Sequence, residues 1–294
     1  MLNPIGLISM QVARPFTPEH FAWFAKIKAL GYDFIELLVP EPEDLDLAET
    51  RKAIEGSGLG VVLAARVSMQ RNITSDDPAA RATGLAYLKS AAAASAALGA
   101  RILGGPLYGN PLVFAGRPPA PVSEDLRLRR IEWCVSALRE AGAAAAEHGV
   151  TLAVEPLNRF ETDFVSTTRQ GIELIDLVGH ANVRLMLDTF HMHMEDASLA
   201  EAIQVAGPRI AHFQANENHR GFVGTGSTDW VAVARALHAA GYEGPISLEP
   251  FRRDDQRIGI PVAQWRPPHE DESPKLRDSA ALLRGVLAMG AHRL

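Results

Sequence analysis

Residues 150–190, VTLAVEPLNRFETDFVSTTRQGIELIDLVGHANVRLMLDTF, read as one complete strand–helix–strand unit. The segments 150–155 and 183–190 are short and largely apolar on consecutive residues, and both carry an acid near their C-terminal end. Such runs suit strands buried on both faces of a parallel sheet, whereas half-exposed strands alternate apolar with polar residues. The segment 168–178 between them reads as the crossover helix.

The same alternation extends in both directions. Upstream, strands are expected at 6–10 (GLISM), 33–39 (DFIELLV), 60–67 (GVVLAARV) and 101–105 (RILGG); downstream, at 209–215 (RIAHFQA) and 245–249 (PISLE). Helical patterns fall near 18–30, 45–56, 78–98, 123–148, 198–206, 229–240 and 274–290. Several carry boundary signals. Thr17 precedes a first-turn Pro18, Ser123 precedes Glu124 and Asp125, and Gly31, Gly99, Gly149 and Gly241 stand just past helix ends. Eight strands alternating with eight helices predict one (β/α)8 TIM barrel over residues 1–294, a length that suits this α/β fold. A doubly wound sheet seldom needs eight repeats. The alanine-rich tracts 90–97 and 141–146 read as helix faces packed closely on strands. The loops at 106–122 and 250–273 are longer than the fold requires, and both follow strand ends on the face where barrel active sites lie.

Composition sets bounds on partners. With 47% hydrophobic and 22% charged residues, the chain can bury a full core. A formal charge of −6 argues against a nucleic-acid partner, which favours a basic stripe. No stretch approaches the roughly 20 apolar residues of a membrane span, and no basic leader opens the sequence. Cys134 is the sole cysteine and reads as a small buried hydrophobe, so a cytoplasmic protein is expected.

Four oxygen-bearing residues end successive strands in the second half: Glu155, Asp188, Gln214 and Glu249. Each step along that series is about one βα unit, so in a closed barrel the four surround one side of a common mouth. Three converging carboxylates would raise one another's pKa values, and a hard divalent cation removes that cost. Oxygen donors suit Mn²⁺, with Mg²⁺ or Co²⁺ as alternatives. His191, three residues past Asp188, reads as a substrate contact, and His193 as a loop residue. His212 shares a strand face with Gln214, where it either orients a ligand or is a satisfied core histidine. Arg220 and Glu161, in the loops after the seventh and fifth strands, are further polar candidates. The segment 224–226 (GTG) is too short a pattern for a phosphate loop.

The segments VEPLNRFETD (154–163), LMLDTFHMHMED (185–196), HFQANENHRG (212–221) and SLEPF (247–251) resemble the D-tagatose/D-psicose (allulose) 3-epimerase family of xylose isomerase-like barrels. GGPLYG (104–109), FIELLVPEPED (34–44) and the tail after Phe251 extend the resemblance over nearly the whole chain. It implies that Glu155, Asp188, Gln214 and Glu249 are the metal ligands. It further implies that Glu155 and Glu249 act as acid and base, while Glu161, His191 and Arg220 hold substrate hydroxyls. Many family members carry histidine where this chain has Gln214. Glutamine is also neutral and offers a carbonyl oxygen, so the charge of the set is unchanged.

The implied reaction is C3 epimerisation of a free ketose: D-tagatose/D-sorbose, D-fructose/D-allulose or L-ribulose. One carboxylate removes the C3 proton, a metal-stabilised enediolate forms, and the other carboxyl delivers a proton to the opposite face. The family resemblance also implies a homodimer or homotetramer. An aldose–ketose isomerase of the hydroxypyruvate isomerase type is the rival on the same barrel. An endonuclease IV-like role would need more histidine ligands and a basic groove, and a catalytically silent sugar-binding barrel would not need a full acid pair.

Overall fold

The computed structural model of the chain describes residues 3–41, 43–109, 111, 118, 120–250 and 271–291. Eight parallel strands close into a barrel in chain order. They are β1 (Ile5–Ile8), β2 (Phe34–Leu38), β3 (Gly60–Ala64), β4 (Ile102–Gly105), β5 (Thr151–Val154), β6 (Val183–Asp188), β7 (Ile210–Gln214) and β8 (Ile246–Leu248). Closure is made by β1 on β8, with Gly6 opposite Ser247. Apart from the first residues of β3 and single positions in β4, β5 and β6, the strands are buried throughout, which is why they read as continuous apolar runs.

The helices are α1 (Ala22–Ala29), α2 (Leu47–Ser57), α3 (Pro78–Leu98), α4 (Glu124–Glu147), α5 (Thr168–Val178), α6 (Thr189–Glu195), α7 (Leu199–Ala206), α8 (Trp230–Ala239) and α9 (Ser273–Ala291). Their ends follow side-chain chemistry. Ser123 accepts the Leu126 N–H to open α4, Thr167 and Gln170 form a reciprocal capping box on α5, and Gly31, Gly99, Gly149 and Gly241 all take positive φ.

Several boundaries differ from the sequence reading, and the strands expected over 6–10 and 60–67 stop at Ile8, before a tight turn at Ser9–Gln11, and at Ala64. The helix expected over 18–30 is divided, because Thr17 and His20 cap each other around a tight turn at Pro18–His20 before α1 begins. The strand expected over 183–190 stops at Asp188. Its carboxylate accepts the Phe190 N–H at 2.7 Å and turns the chain into α6, so His193 lies on a helix, not in a loop. The long loop at 250–273 falls largely outside the described residues, as do positions 110, 112–117 and 119 of the loop at 106–122.

The barrel interior is packed, not hollow. A Cβ on Gly6 would stand 2.2 Å from the Phe34 ring, and one on Gly104 would stand 2.7 Å from the Met186 sulfur. Bulky side chains from β2 and β6 therefore fill the space opposite glycines on β1 and β4, and this floor supports the polar layer above it. His212 meets Phe34 edge-on, with ring centroids 6.4 Å apart. Among the described residues no helix is long and apolar enough to cross a membrane.

Candidate active and metal site

Glu155, Asp188, Gln214 and Glu249 stand at or just past the C-terminal ends of β5 to β8, and all four are buried. Proline follows both glutamates, at Pro156 and Pro250, and biases each toward the extended conformation that continues its strand. One ligand atom each from Glu155, Asp188 and His191 falls within 4.8 Å of the others, a spacing that one cation can span. Burial pushes the Glu155 carboxyl well above the ordinary 4.5, and the charges of Glu249 and Asp188 push it further. Burial also raises Glu249, against the pull of Arg220.

The donor chemistry fits a divalent cation. The Gln214 side-chain nitrogen donates to Glu36 Oε1 at 2.9 Å, leaving Gln214 Oε1 buried without a partner. The group of ligand atoms within 4.8 Å of one another takes in Glu155 and Asp188 but not Glu249. The orphaned carbonyl oxygen of Gln214, paired in register with Asp188, adds a further oxygen donor of the kind that suits a hard ion. His191 is different. Its Nδ1 accepts the Asn158 backbone N–H at 3.0 Å, and burial depresses its pKa, so the neutral ring carries its proton on Nε2. That N–H points to Glu155 and Asp188 from 3.6 and 3.8 Å, too far for hydrogen bonds. It is a donor aimed into the site, and a proton on Nε2 is incompatible with metal ligation by that atom.

Arg220 reaches the site from the loop after β7. Its Nη1 donates to Glu161 Oε1 at 2.6 Å and its Nη2 to Glu249 Oε2 at 3.3 Å, while its guanidinium lies 4.5 Å over the Phe190 ring. The residue has φ 58, a left-handed conformation that a non-glycine residue adopts only when its surroundings impose it. The Arg220 backbone N–H is tied to the Glu217 carbonyl at 2.8 Å. Glu217 is itself anchored, because its buried carboxylate accepts the Gly224 N–H, the Thr228 N–H and hydroxyl, and the Trp230 indole N–H. Burial alone would raise the Glu161 pKa, but Arg220, His191 and Asn158 outweigh it and the net shift is downward.

A family model for the xylose isomerase-like TIM barrel matches residues 24–284. The chain belongs to the xylose isomerase-like TIM barrel family. Within this family it is 32% identical to an L-ribulose 3-epimerase of a Methylomonas species, over 80% of each chain. It is 31% identical to a D-psicose 3-epimerase of Agrobacterium fabrum, over 83% of each. A solved L-ribulose 3-epimerase structure superposes with a TM-score of 0.91 at 30% identity, covering 98% of this chain and 96% of the other.

Several residues that support this candidate site carried no role in the sequence reading. Asn216 donates to both Asp188 oxygens and accepts the Glu249 backbone N–H, so one side chain joins the ends of β6, β7 and β8. Asn158 places Glu161 and His191 together through its amide. Glu36 lies beneath Gln214 and is fully buried. The asparagines sit within the motifs already quoted, but nothing in the sequence distinguishes them from loop residues. His212 faces Glu36 at 2.9 Å, and His193 meets Thr228 at 2.9 Å, away from the carboxylates.

Proposed function

We propose that the chain is a divalent-metal-dependent ketose 3-epimerase acting on free ketoses as one domain over residues 1–294. The observation that carries this reading is the pair of buried glutamates, Glu155 and Glu249, held three strands apart around one mouth with both pKa values raised. Inversion at a carbon next to a carbonyl requires one group to remove a proton and a second to return one to the far face. A raised pKa makes the protonated, proton-donating form of a carboxyl easier to reach, beside the ionised form that accepts one.

Glu155, Asp188, Gln214 and Glu249 would hold the metal, with Mn²⁺ first and Mg²⁺ or Co²⁺ as alternatives. When bound, the ion lowers the cost of negative charge on the substrate's C2 oxygen. Glu155 and Glu249 exchange the C3 proton, each acting as base in one direction and as acid in the other. His191 Nε2–H and the Arg220 guanidinium donate to substrate oxygens, and Glu161 accepts from a hydroxyl while keeping Arg220 in place. The names of the relatives support D-fructose/D-allulose (psicose) and L-ribulose as substrates, with D-tagatose/D-sorbose beside them. A cytoplasmic homodimer or homotetramer completes the reading.

Product analysis tests it. Metal-stripped protein is incubated with D-fructose, D-tagatose and L-ribulose, with Mn²⁺ or with a chelator. We expect the C3 epimer to accumulate only with Mn²⁺. An aldose product would instead identify an isomerase of the hydroxypyruvate isomerase type.

A further inference from the structure

We propose that Glu36 is a positioning residue that fixes the orientation of the Gln214 amide, making its carbonyl oxygen the face presented to the metal site. The inference rests on the metal-site reading above. A glutamine side chain is nearly symmetric in shape, and rotating its amide by half a turn exchanges an acceptor for a two-proton donor. A donor facing the cation would lose a ligand and add repulsion. Something must therefore select one orientation.

The selection comes from below. Glu36 sits in the middle of β2, inside the barrel and fully buried. Its Oε1 accepts the Gln214 amide at 2.9 Å, and its Oε2 accepts His212 Nε2 at 2.9 Å and the Ser247 hydroxyl. With three donors converging on it, Glu36 acts only as an acceptor. The flipped amide would set an oxygen against a carboxylate oxygen in a buried site with little water to screen them, which is strongly unfavourable. The unpartnered Gln214 Oε1 is the other half of the same arrangement. Each side chain is held from the strands around it: Glu36 on β2, His212 and Gln214 on β7, and Ser247 on β8.

The test exchanges the two groups. In Glu36→Gln the introduced amide can accept from Ser247 and His212 but can also donate to Gln214 Oε1, so the selection is lost. We expect Mn²⁺ binding, followed by titration calorimetry, to weaken about 10- to 100-fold, the usual effect of removing a ligand's supporting partner. In the double variant E36Q/Q214E, the amide introduced at position 36 donates to the carboxylate introduced at position 214. That carboxylate keeps a free oxygen facing the site, and net charge is restored. Mn²⁺ affinity should recover to within about fivefold of the unsubstituted protein. A Glu36 that served only the fold would leave the two substitutions independent, so E36Q would cost the same affinity in the Q214E background (Q214E against E36Q/Q214E) as in the unsubstituted one. Full affinity in E36Q, or no recovery in the double variant, overturns the proposal while leaving the metal site standing. Unsubstituted protein that binds no Mn²⁺ overturns the metal reading itself. If E36Q does not fold, a crystal structure of the Mn²⁺-loaded unsubstituted protein decides: Gln214 Oε1 on the ion with Nε2 on Glu36 supports the proposal, and Gln214 away from the ion contradicts it.

Discussion

The side-chain amide nitrogen of Asn216 lies 3.0 Å from each carboxylate oxygen of Asp188. Its Oδ1 accepts the Glu249 backbone N–H at 3.1 Å, so this one group sets the spacing between two of the expected metal ligands. Asn216→Ala should weaken Mn²⁺ binding about tenfold and cost about 1–3 kcal/mol of stability, since it leaves buried groups unpaired. Calorimetric titration and thermal unfolding measure the two effects. Unchanged metal affinity would remove Asn216 from the support of the site.

Glu155 and Glu249 are buried among like charges, which makes them unfavourable for folding and useful for proton transfer. Glu155→Gln and Glu249→Gln should each reduce epimerisation at least about 10⁴-fold, the upper end of what one general acid or base contributes, because each is also an expected metal donor. The metal-stripped variants should unfold at the same temperature as the parent or higher. Loss of activity accompanied by a large fall in unfolding temperature would indicate a structural role instead.

The same charges set a pH dependence. The folded-state pKa values of Glu155 and Glu249 lie above the ordinary 4.5, so the folded protein binds those protons more tightly than the unfolded chain. Their contribution to stability is full below 4.5 and is lost as pH rises through the raised values. Glu36 and Glu161 are shifted downward and act in the opposite sense, losing their contribution as pH falls below 4.5. Metal-stripped protein should therefore lose stability as pH rises above 4.5 through the raised values, and saturating Mn²⁺ should flatten or reverse that slope. Thermal unfolding with chelator and with Mn²⁺ checks this, and parallel curves would argue against a cation among the carboxylates.

Arg220 pairs with Glu161 and Glu249 through both arms of its guanidinium. Lysine keeps the charge but not the fork, so Arg220→Lys should raise KM about 10-fold or more with a smaller effect on kcat. Arg220→Ala also removes the ion-pair partner of the buried Glu249 and of the partly buried Glu161, which keeps Asn158, and should cost about 3–5 kcal/mol of stability. Steady-state kinetics and denaturant unfolding separate these outcomes.

The barrel was legible because strands buried on both faces write themselves as apolar runs, and the acids ending β5, β6 and β8 interrupt those runs visibly. The start of α6 was not, since LMLDTF stays apolar on both sides of Asp188 and its capping role depends on one side-chain rotamer. The support beneath the ligands was hidden for a different reason. Glu36 meets His212 and Ser247 across 176 and 211 residues of sequence, and only barrel closure brings them together. Asn216 and Asn158 likewise act through partners 28 to 33 residues away, which no local pattern records.

Hydrogen exchange at the substrate's carbons tests proton transfer at C3, the central claim, most directly. Metal-stripped protein is incubated with D-tagatose or D-fructose in D₂O, with and without Mn²⁺, and products are followed by NMR. We expect the C3 epimer to form only with Mn²⁺ and to carry deuterium at C3. Deuterium at C1 with an aldose product would contradict C3 epimerisation and place the proton transfer between C1 and C2.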